Sequence, residues 1–322
     1  MKHTAIAFAG SAVVDRIYSI SAYPKEGELT QIRSVEFAVG GAVCNGAIDL
    51  KKMDPSLSVY AFGRIGKDEE GEFLVRVLTQ NGVDASYLTQ GNGKTSFTDV
   101  YSIPQGQRTF FAYPGECANF GIDDISWDGP NFTLLHLGYF LLLDRVDRGD
   151  GLRILQKAKE KGIETSIDLV SENSDRYGIL IPCLPYVDYL IINEVEAGCL
   201  TGMEVNAQNA EEALRHLLAF GVKKKVMIHA PKFGACLSNQ GYTIVPSLDI
   251  PPSDIAGSTG AGDAFAASAL LMIAQEKSDR EILEFASEAA AMALRVEDAT
   301  SGLTTQDKIR EIATIYPRRK LC

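Results

Sequence analysis

The sequence predicts an α/β fold built from βα units around a largely parallel sheet, and three observations support this fold class. Short apolar or β-branched runs alternate with amphipathic stretches along most of the chain. The C-terminal part is dominated by helical patterns. The chain has 322 residues and 46% hydrophobic content, which suits one large domain over residues 1–322 that carries insertions.

The individual elements follow from these patterns in chain order. Strands are predicted over residues 4–10, 58–66, 132–138, 162–169, 187–193 and 225–230. Helices are predicted between them over residues 41–53, 68–82, 148–162 and 209–221. Three more helices are predicted near the C-terminus, in GAGDAFAASALLMIAQ, DREILEFASEAAAMALRV and TTQDKIREIATIY.

Two segments, residues 16–39 and 94–113, do not follow this alternation. The second segment alternates with a period of two on both sides of a PQGQ turn at residues 104–107, which predicts an antiparallel hairpin. We expect the two segments to form a small sheet that is separate from the main one.

Composition excludes several classes of function. A net charge of −11 argues against a nucleic-acid partner, because such binding needs a basic face that displaces phosphate counterions. The six cysteines form no CxxC pair, so neither a zinc site nor a disulfide framework is expected, and a reducing cytoplasm fits. We expect no membrane segment, because the apolar N-terminal stretch is short and fits a first buried strand.

The most informative motif is GSTGAGDAF at residues 257–265, a glycine-rich turn that leads directly into an apolar helix. The N–H groups of Gly260, Ala261, Gly262 and Asp263 can bind an anion there, at the positive end of the helix dipole. Asp263 itself has two interpretations, a helix N-cap or a carboxylate beside a bound phosphate. The spacing fits neither a dinucleotide fingerprint nor a P-loop.

Five features occur in a characteristic order: Asp15 after the first strand, AVGGAVCN at 38–45, the hairpin, NEVEAGCLTG at 193–202 and TGAGDAF at 259–265. On these motifs the chain resembles the PfkB, or ribokinase-like, family of carbohydrate and nucleoside kinases over nearly its whole length. The resemblance implies a three-layer α/β/α fold with a mostly parallel central sheet. It also implies that the two irregular segments form a β-lid over the sugar site.

The resemblance implies roles for the site residues as well. ATP would be the donor, Asp263 would take the proton from the acceptor hydroxyl, and Gly260, Ala261 and Gly262 would form the anion hole with it. The implied substrate-binding residues are Asp15, Gly40, Gly41, Asn45 and Arg108, and the implied nucleotide-binding residues are Asn193, Glu196, Lys232, Gly234 and Thr259. An ionised carboxylate such as Asp15 can accept hydrogen bonds from two vicinal hydroxyls.

Asn193 and Glu196 carry the implied metal site, in which an NxxE motif organises Mg²⁺ through its bound waters. Hard oxygen ligands suit Mg²⁺, which keeps most of its hydration shell in proteins. The same spacing also fits a helix capping box, with an N-cap asparagine and a glutamate three residues later. Both interpretations can hold together.

The chain departs from the family pattern at three places. Asp168 is followed by Val170 and Glu172, where many members have DxNxR. Gly257 replaces an aspartate that is tied to a monovalent-cation site, so potassium activation cannot be assumed. Ala230 stands at the first glycine of the GxxG loop on the adenine side.

These features predict an ATP-dependent kinase that phosphorylates a hydroxyl group of a sugar or sugar-like substrate. An adenosine-like nucleoside is the alternative acceptor, because the lid aromatics Phe97, Tyr101, Phe110 and Phe111 offer a slot for a base. A catalytically silent sugar or nucleotide sensor is the third interpretation. The scarcity of lid arginines favours an unphosphorylated acceptor, and the family resemblance favours a homodimer formed through the lid.

Overall fold

The structure, a computed structural model, describes residues 4–103, 108–172 and 174–321. Its strands are β1 (Ala5–Gly10), β2 (Val13–Ile20), β3 (Ile32–Gly40), β4 (Ser58–Ile65), β5 (Thr89–Gln90), β6 (Phe97–Ser102), β7 (Arg108–Tyr113), β8 (Leu134–Phe140), β9 (Glu164–Leu169), β10 (Tyr189–Asn193), β11 (Lys225–His229), β12 (Phe233–Ser238) and β13 (Gly241–Pro246). Its helices are α1 (Gly41–Met53), α2 (Glu69–Gln80), α3 (Gly151–Glu160), α4 (Glu194–Thr201), α5 (Ala210–Ala219), α6 (Ala261–Ala274), α7 (Asp279–Ala293) and α8 (Gln306–Ile315). Within these ranges, no helix combines the length and the apolar character needed to cross a membrane.

Nine strands form the central sheet in the order β13-β12-β11-β10-β9-β8-β1-β4-β5. Neighbours from β11 through to β5 run parallel, whereas β12 and β13 add antiparallel pairs at one edge. The prediction of a largely parallel sheet is confirmed. The carboxyl ends of its parallel strands meet at one side of the sheet, which is where open α/β sheets bind ligands.

Helices cover both faces of this sheet. α1, α2, α6, α7 and α8 share a buried core with one face, and α3, α4 and α5 share a second core with the other. In β1, Ile6 and Phe8 belong to the first core, while Ala7 and Ala9 belong to the second. Because successive side chains of a strand point to opposite faces, a strand that is apolar throughout needs cover on both sides. The predicted three-layer α/β/α fold is confirmed.

β3, β2, β6 and β7 form a separate four-stranded sheet in that order, here called the small sheet. β6 pairs antiparallel with β7, as the period-two pattern predicts, and the PQGQ turn between them lies outside the described residues. Cross-strand register places Asp15, Thr98 and Ala112 in one row. These three residues therefore lie on the same face of the small sheet.

Two details differ from the sequence prediction. α3 begins at Gly151 instead of residue 148, because Gly149 has a φ of 124° and interrupts the helical backbone. The sequence patterns do not identify the hairpin of β12 and β13, in which Gly241 has a φ of 97°. β12 reads FGACLS and is rich in small residues, so neither alternation nor β-branching marks it as a strand.

Candidate active site

The candidate residues lie where several parallel strands end and α6 begins. Tyr139, Asp168, Asn193 and His229 are at the carboxyl ends of β8, β9, β10 and β11. Asp263 lies in the first turn of α6 beside them. All five side chains line one cleft of about 190 Å³, here called the central cleft.

Asp263 is buried and held by two hydrogen bonds to the same oxygen. The Asn45 amide nitrogen and the Tyr139 hydroxyl each donate to Asp263 Oδ2 at 2.9 Å. Burial raises the pKa of Asp263 to about 6, the charge of Asp168 adds to the rise, and the two hydrogen bonds oppose it. The carboxylate thus faces side chains of other elements and does not cap its own helix.

The turn before α6 presents free backbone donors. Gly260 has a φ of 79°, and a Cβ atom there would lie 2.4 Å from the Ala299 carbonyl oxygen, so only glycine fits. Within the described part of the chain, the N–H groups of Gly260, Gly262 and Asp263 make no hydrogen bond. Together with the helix dipole, these donors form a site suited to an anion.

A second cleft of about 300 Å³, here called the acceptor cleft, opens on the other side of Asp263. Asp15 and Asn45 line it, and Asn45 Oδ1 is buried without a hydrogen-bond partner among the described residues. Burial raises the pKa of Asp15 to about 7, and the charge of Asp263 contributes to the rise. These polar groups can bind the hydroxyls of a ligand.

Gly40 and Gly41 give the acceptor cleft its shape. A Cβ atom at Gly40 would lie 2.5 Å from Asp15 Oδ2, so a side chain there would displace the carboxylate. Gly41 has a φ of 83°, and a Cβ atom there would lie 2.6 Å from the Ser11 carbonyl oxygen. Both glycines are therefore required by close approach and not by the turn alone.

Asn193 and Glu196 form a capping box at the start of α4, as one interpretation of their spacing predicts. Asn193 Oδ1 accepts hydrogen bonds from the Val195 and Glu196 N–H groups at 2.9 Å, and Glu196 Oε2 accepts one from the Asn193 N–H at 3.0 Å. Ser171 donates to Glu196 Oε1 at 2.9 Å. Burial raises the pKa of Glu196 to about 7.

The same two residues line the central cleft, so their donor set can be tested against Mg²⁺. Both Glu196 oxygens already accept hydrogen bonds, which leaves them better suited to a metal-bound water than to direct coordination. The described residues contain no group of three or more histidine, cysteine or acidic side chains that could hold a metal. A mostly hydrated Mg²⁺ with phosphate ligands fits this site.

A third cavity, of about 390 Å³, adjoins the central cleft through Asn193, His229 and Gly262. Its lining is largely apolar, with Phe233, Leu248, Ile250, Phe265 and Leu294 among the residues that contribute. The acceptor cleft, the central cleft and this apolar cavity therefore form a continuous series. Asp263 lines the first two.

Four predicted site residues have surroundings that differ from those their implied roles suggest. Lys232 lines a separate neighbouring cavity, and Gly234 is buried within β12 against Phe265. Arg108, expected to bind substrate, instead donates to the Thr259 hydroxyl at 2.9 Å and to the Glu297 carbonyl at 2.8 Å. Thr259, which is predicted to bind nucleotide, lines the acceptor cleft.

Sequence reasoning missed Tyr139 and His229. Tyr139 has a left-handed backbone with a φ of 65°, which is uncommon for a residue with a side chain. Burial lowers the pKa of His229 to about 4, so its imidazole is neutral and can donate a hydrogen bond into the central cleft. Their only sequence signal is their place at the carboxyl ends of predicted parallel strands.

In sequence and in fold, the chain is similar to carbohydrate kinases. A family model described as pfkB family carbohydrate kinase matches residues 4–306. Ribokinase of Arabidopsis thaliana is 26% identical over 309 residues, which cover 94% of this chain and 79% of the relative.

Two solved structures have the same fold. The crystal structure of ribokinase from Thermotoga maritima has a TM-score of 0.82 at 20% identity and covers 97% of this chain and 99% of that chain. The structure of Arabidopsis thaliana ribokinase complexed with ribose and ATP has a TM-score of 0.79 at 22% identity, with coverage of 97% and 99%.

Proposed function

This chain belongs to the pfkB family of carbohydrate kinases, and we propose that it transfers the γ-phosphoryl group of ATP to a hydroxyl of an uncharged sugar or sugar-like acceptor. The observation that carries this proposal is the position of Asp263. Its buried carboxylate lines both the acceptor cleft and the central cleft, beside N–H groups at the start of α6 that make no hydrogen bond with the described residues. A base next to an anion site is the arrangement that phosphoryl transfer to a hydroxyl requires.

Asp263 would act as the general base. Because Asn45 and Tyr139 donate to Oδ2, Oδ1 is left to accept the proton of the acceptor hydroxyl. The acceptor oxygen then forms a bond to the γ-phosphorus while the bond from that phosphorus to the bridging oxygen breaks, and the electron pair leaves with ADP. A pKa of about 6 keeps Asp263 ionised at neutral pH while making it a stronger base than an exposed aspartate.

The acceptor would be held by Asp15 and Asn45. Asp15 can accept hydrogen bonds from two hydroxyls, and the unpartnered Asn45 Oδ1 can accept a third. Among the described residues that line the acceptor cleft, none is a lysine or arginine. An acceptor without a phosphate group suits this lining better than a sugar phosphate.

The donor would occupy the other two cavities. The apolar cavity around Phe265 and Leu294 would take the nucleotide base, and the N–H groups of Gly262 and Asp263 would donate to the phosphoryl group to be transferred. Bound Mg²⁺ would neutralise phosphate charge. Asn193 and Glu196 would hold its hydration shell through their amide and carboxylate oxygens, and His229 would donate to a phosphate oxygen.

A nucleoside is the second candidate acceptor. Phe97, Phe110 and Tyr113 line the acceptor cleft, and the Phe97 and Tyr113 rings stack with centroids 5.0 Å apart. Phe110 stands two residues before Ala112 in β7 and therefore shares a face of the small sheet with Asp15, so its ring can stack on a base while Asp15 binds the ribose hydroxyls. This lining is the observation that keeps the nucleoside candidate open.

The test is Mg²⁺-dependent ADP release from ATP, measured across a panel of neutral sugars, sugar phosphates and nucleosides. We expect at least one neutral sugar to stimulate ADP release, and 31P NMR of the product would show which hydroxyl carries the phosphate. Stimulation by nucleosides alone would select the second candidate. Binding of a sugar or nucleotide without any ADP release would contradict the kinase proposal and favour a catalytically silent sensor.

A further inference from the structure

Arg108 of the small sheet reaches the loop that leads into the anion site. Its Nη1 atom donates to Thr259 Oγ1 at 2.9 Å and to the Glu297 carbonyl oxygen at 2.8 Å. Its Nη2 atom lies 3.9 Å from the Glu297 carboxylate. Thr259 precedes the turn that carries the N–H groups of Gly260, Gly262 and Asp263, here called the anion turn, and Glu297 belongs to the loop after α7. One guanidinium therefore joins two loops of the core to β7.

These two loops pack backbone against backbone at this point. The N–H groups of Ala256 and Gly257 donate to the Leu294 carbonyl at 2.9 and 3.3 Å. A Cβ atom at Gly257 would lie 3.3 Å from the Val296 carbonyl oxygen. The carbonyls of residues 296 and 297 thus approach one small region, where a positive charge would offset their mutual repulsion.

The Arg108 guanidinium supplies a positive charge in this region. A Cβ atom at Gly257 would lie 3.2 and 3.4 Å from the two terminal nitrogens of Arg108. Gly257 also supplies no side-chain oxygen, although the resemblance places the aspartate of a monovalent-cation site at this residue. A bound potassium ion therefore does not fit the residues present, because its aspartate ligand is missing and a guanidinium fills the adjacent space.

We propose that Arg108 takes the place of a monovalent cation and that it orders the anion turn from the small sheet. Arginine is charged at every relevant pH and offers several N–H donors in a fixed plane, so it can satisfy carbonyl and hydroxyl oxygens at once. In this account, which rests on the proposed kinase function, Arg108 is a positioning residue. The anion turn is complete only while β7 lies against the core, and catalysis is independent of K⁺.

The variants follow from the geometry. Arg108→Ala removes the charge, and Arg108→Ala combined with Gly257→Asp supplies a carboxylate ligand in its place. Gly257 is not among the positive-φ glycines, and once the Arg108 side chain is removed the close contact of a Cβ atom there is the Val296 carbonyl oxygen at 3.3 Å, so an aspartate requires a shift of that loop by a few tenths of an ångström. Arg33→Ala is the matched control, because Arg33 also belongs to the small sheet but bonds to Ser21 at 3.0 Å, away from the anion turn.

Two readouts test the proposal, each in K⁺, Na⁺ and tetramethylammonium at equal ionic strength. The first is the thermal unfolding midpoint, which reports cation binding without any turnover. We expect no K⁺ effect on the wild type or on Arg33→Ala, and a K⁺-specific rise for the double variant. A K⁺-specific rise in the wild type would overturn the proposal.

The second readout is ATP-dependent turnover of the acceptor. We expect Arg108→Ala to lose about 10- to 100-fold in kcat/KM, and the double variant to recover part of the loss in K⁺ only. Several-fold activation of the wild type by K⁺, or full activity of Arg108→Ala, would contradict the proposal. If no acceptor supports turnover, the kinase proposal fails, while the unfolding series still decides the role of Arg108.

Discussion

At the scale of single residues, the central cleft and the acceptor cleft are lined by carboxyl groups whose ionisation is opposed by burial. The pKa of Asp263 is raised to about 6, and those of Asp15 and Glu196 to about 7. Burial is the first cause in each case, so these side chains are retained at the expense of folding free energy. Such perturbed groups in a cleft are typical of functional sites.

The first prediction is that Asp263→Asn stabilises the protein at neutral pH. The folded-state pKa of Asp263, about 6, lies above the usual value of 3.8. Ionisation of Asp263 therefore costs more in the folded protein than in the unfolded chain, and it lowers the free energy of unfolding at pH values above 3.8. A neutral asparagine avoids this, and we expect a gain of about 1–3 kcal/mol, or a few degrees in Tm.

The gain has a defined pH dependence. It should shrink as the pH falls from above 6 towards 3.8 and disappear below that value, because the carboxyl group is then protonated in both states. Thermal unfolding followed by circular dichroism across this range measures it. A variant that is less stable than the wild type at neutral pH would show that the ionised carboxylate is stabilised instead.

The second prediction concerns Tyr139, whose hydroxyl donates to Asp263 Oδ2 at 2.9 Å. Loss of a donor to the ionised form raises the pKa of a carboxyl group. In Tyr139→Phe the acid limb of the kcat/KM profile should therefore move up by about 0.5 to 1 pH unit, so the loss of activity is larger at acidic than at basic pH.

Tyr189→Phe is the matched control for this experiment. The Tyr189 hydroxyl also donates to a carboxylate, Glu164 Oε2 at 2.6 Å, but neither residue lines the acceptor or central cleft. The control should leave the pH profile unchanged. An unshifted profile for Tyr139→Phe, with activity equally reduced at every pH, would assign Tyr139 a structural role only.

Sequence motifs anticipated some of these contacts and missed others for a physical reason. The glycine-rich turn and the GG motif predicted that Asp263 and Asn45 belong to a site, and the structure brings the two side chains into contact. Tyr139 has no motif, because its role depends on a strand end that lies 124 positions from Asp263. Arg108 was expected to bind substrate, whereas in the structure its guanidinium donates to Thr259 and to the Glu297 carbonyl. The sequence alone does not show which groups a long, flexible side chain contacts.

At the scale of elements, the start of α4 combines a capping box with a face of the central cleft. The capping interpretation and the metal interpretation of Asn193 and Glu196 are compatible, since the cap uses oxygens that a hydrated ion can also approach through water. A charge change at Glu196 separates the two roles, because a glutamine can still accept the cap hydrogen bond.

The third prediction is therefore that Glu196→Gln raises the Mg²⁺ concentration for half-maximal activity by about tenfold or more without lowering Tm, because the neutral amide also removes a buried charge. Glu281→Gln is the control, because Ser278 and Glu281 form the same capping box at the start of α7. We expect Mg²⁺ titrations of the control to match the wild type. If both variants require the same Mg²⁺ concentration for half-maximal activity, the role of Glu196 is limited to capping α4.

Element prediction succeeded where apolar periodicity is strong. The predicted helix over residues 41–53 matches α1, and the predicted strand over 58–66 matches β4 within one residue. The hairpin of β12 and β13 was missed because the small residues of β12 give it no clear period, which left the β-branched run of β13 without a recognised partner strand.

At the scale of the whole molecule, the small sheet exposes an apolar surface on the face opposite Asp15. Cross-strand register places Val35, Phe37 and Phe111 on this outer face, and their exposed fractions range from 47% to 59%. An exposed apolar patch of this kind is typical of a binding surface. We propose that a second copy of the chain covers it, as the family resemblance suggests.

The fourth prediction follows from that proposal. Light scattering after size-exclusion chromatography should give about twice the 34.9 kDa chain mass for the wild type and one chain mass for Phe37→Asp combined with Phe111→Asp. Ile315→Asp is the control, because Ile315 is 60% exposed on α8, outside the small sheet. A wild type of single-chain mass at all concentrations would contradict the dimer.

The sequence predicted the fold class because the periods of its apolar residues are local properties. The series of three cavities is not local, since it joins the carboxyl ends of β8, β9, β10 and β11 with residues of α1, α4, α6, α7 and the small sheet. The glycine-rich turn predicted the anion site within it, and the family resemblance predicted the remaining parts. The lining of the cavities, including His229 and Tyr139, required the structure.

The central claim is that Asp263 is the base that connects the acceptor cleft to the phosphoryl donor. Its most direct test compares acceptor-stimulated ADP release by the wild type and by Asp263→Asn, with thermal unfolding confirming that the variant is folded. We predict that turnover falls by about a hundredfold or more in the variant while nucleotide binding persists. Turnover within about tenfold of the wild type would contradict the claim and move the base to another residue.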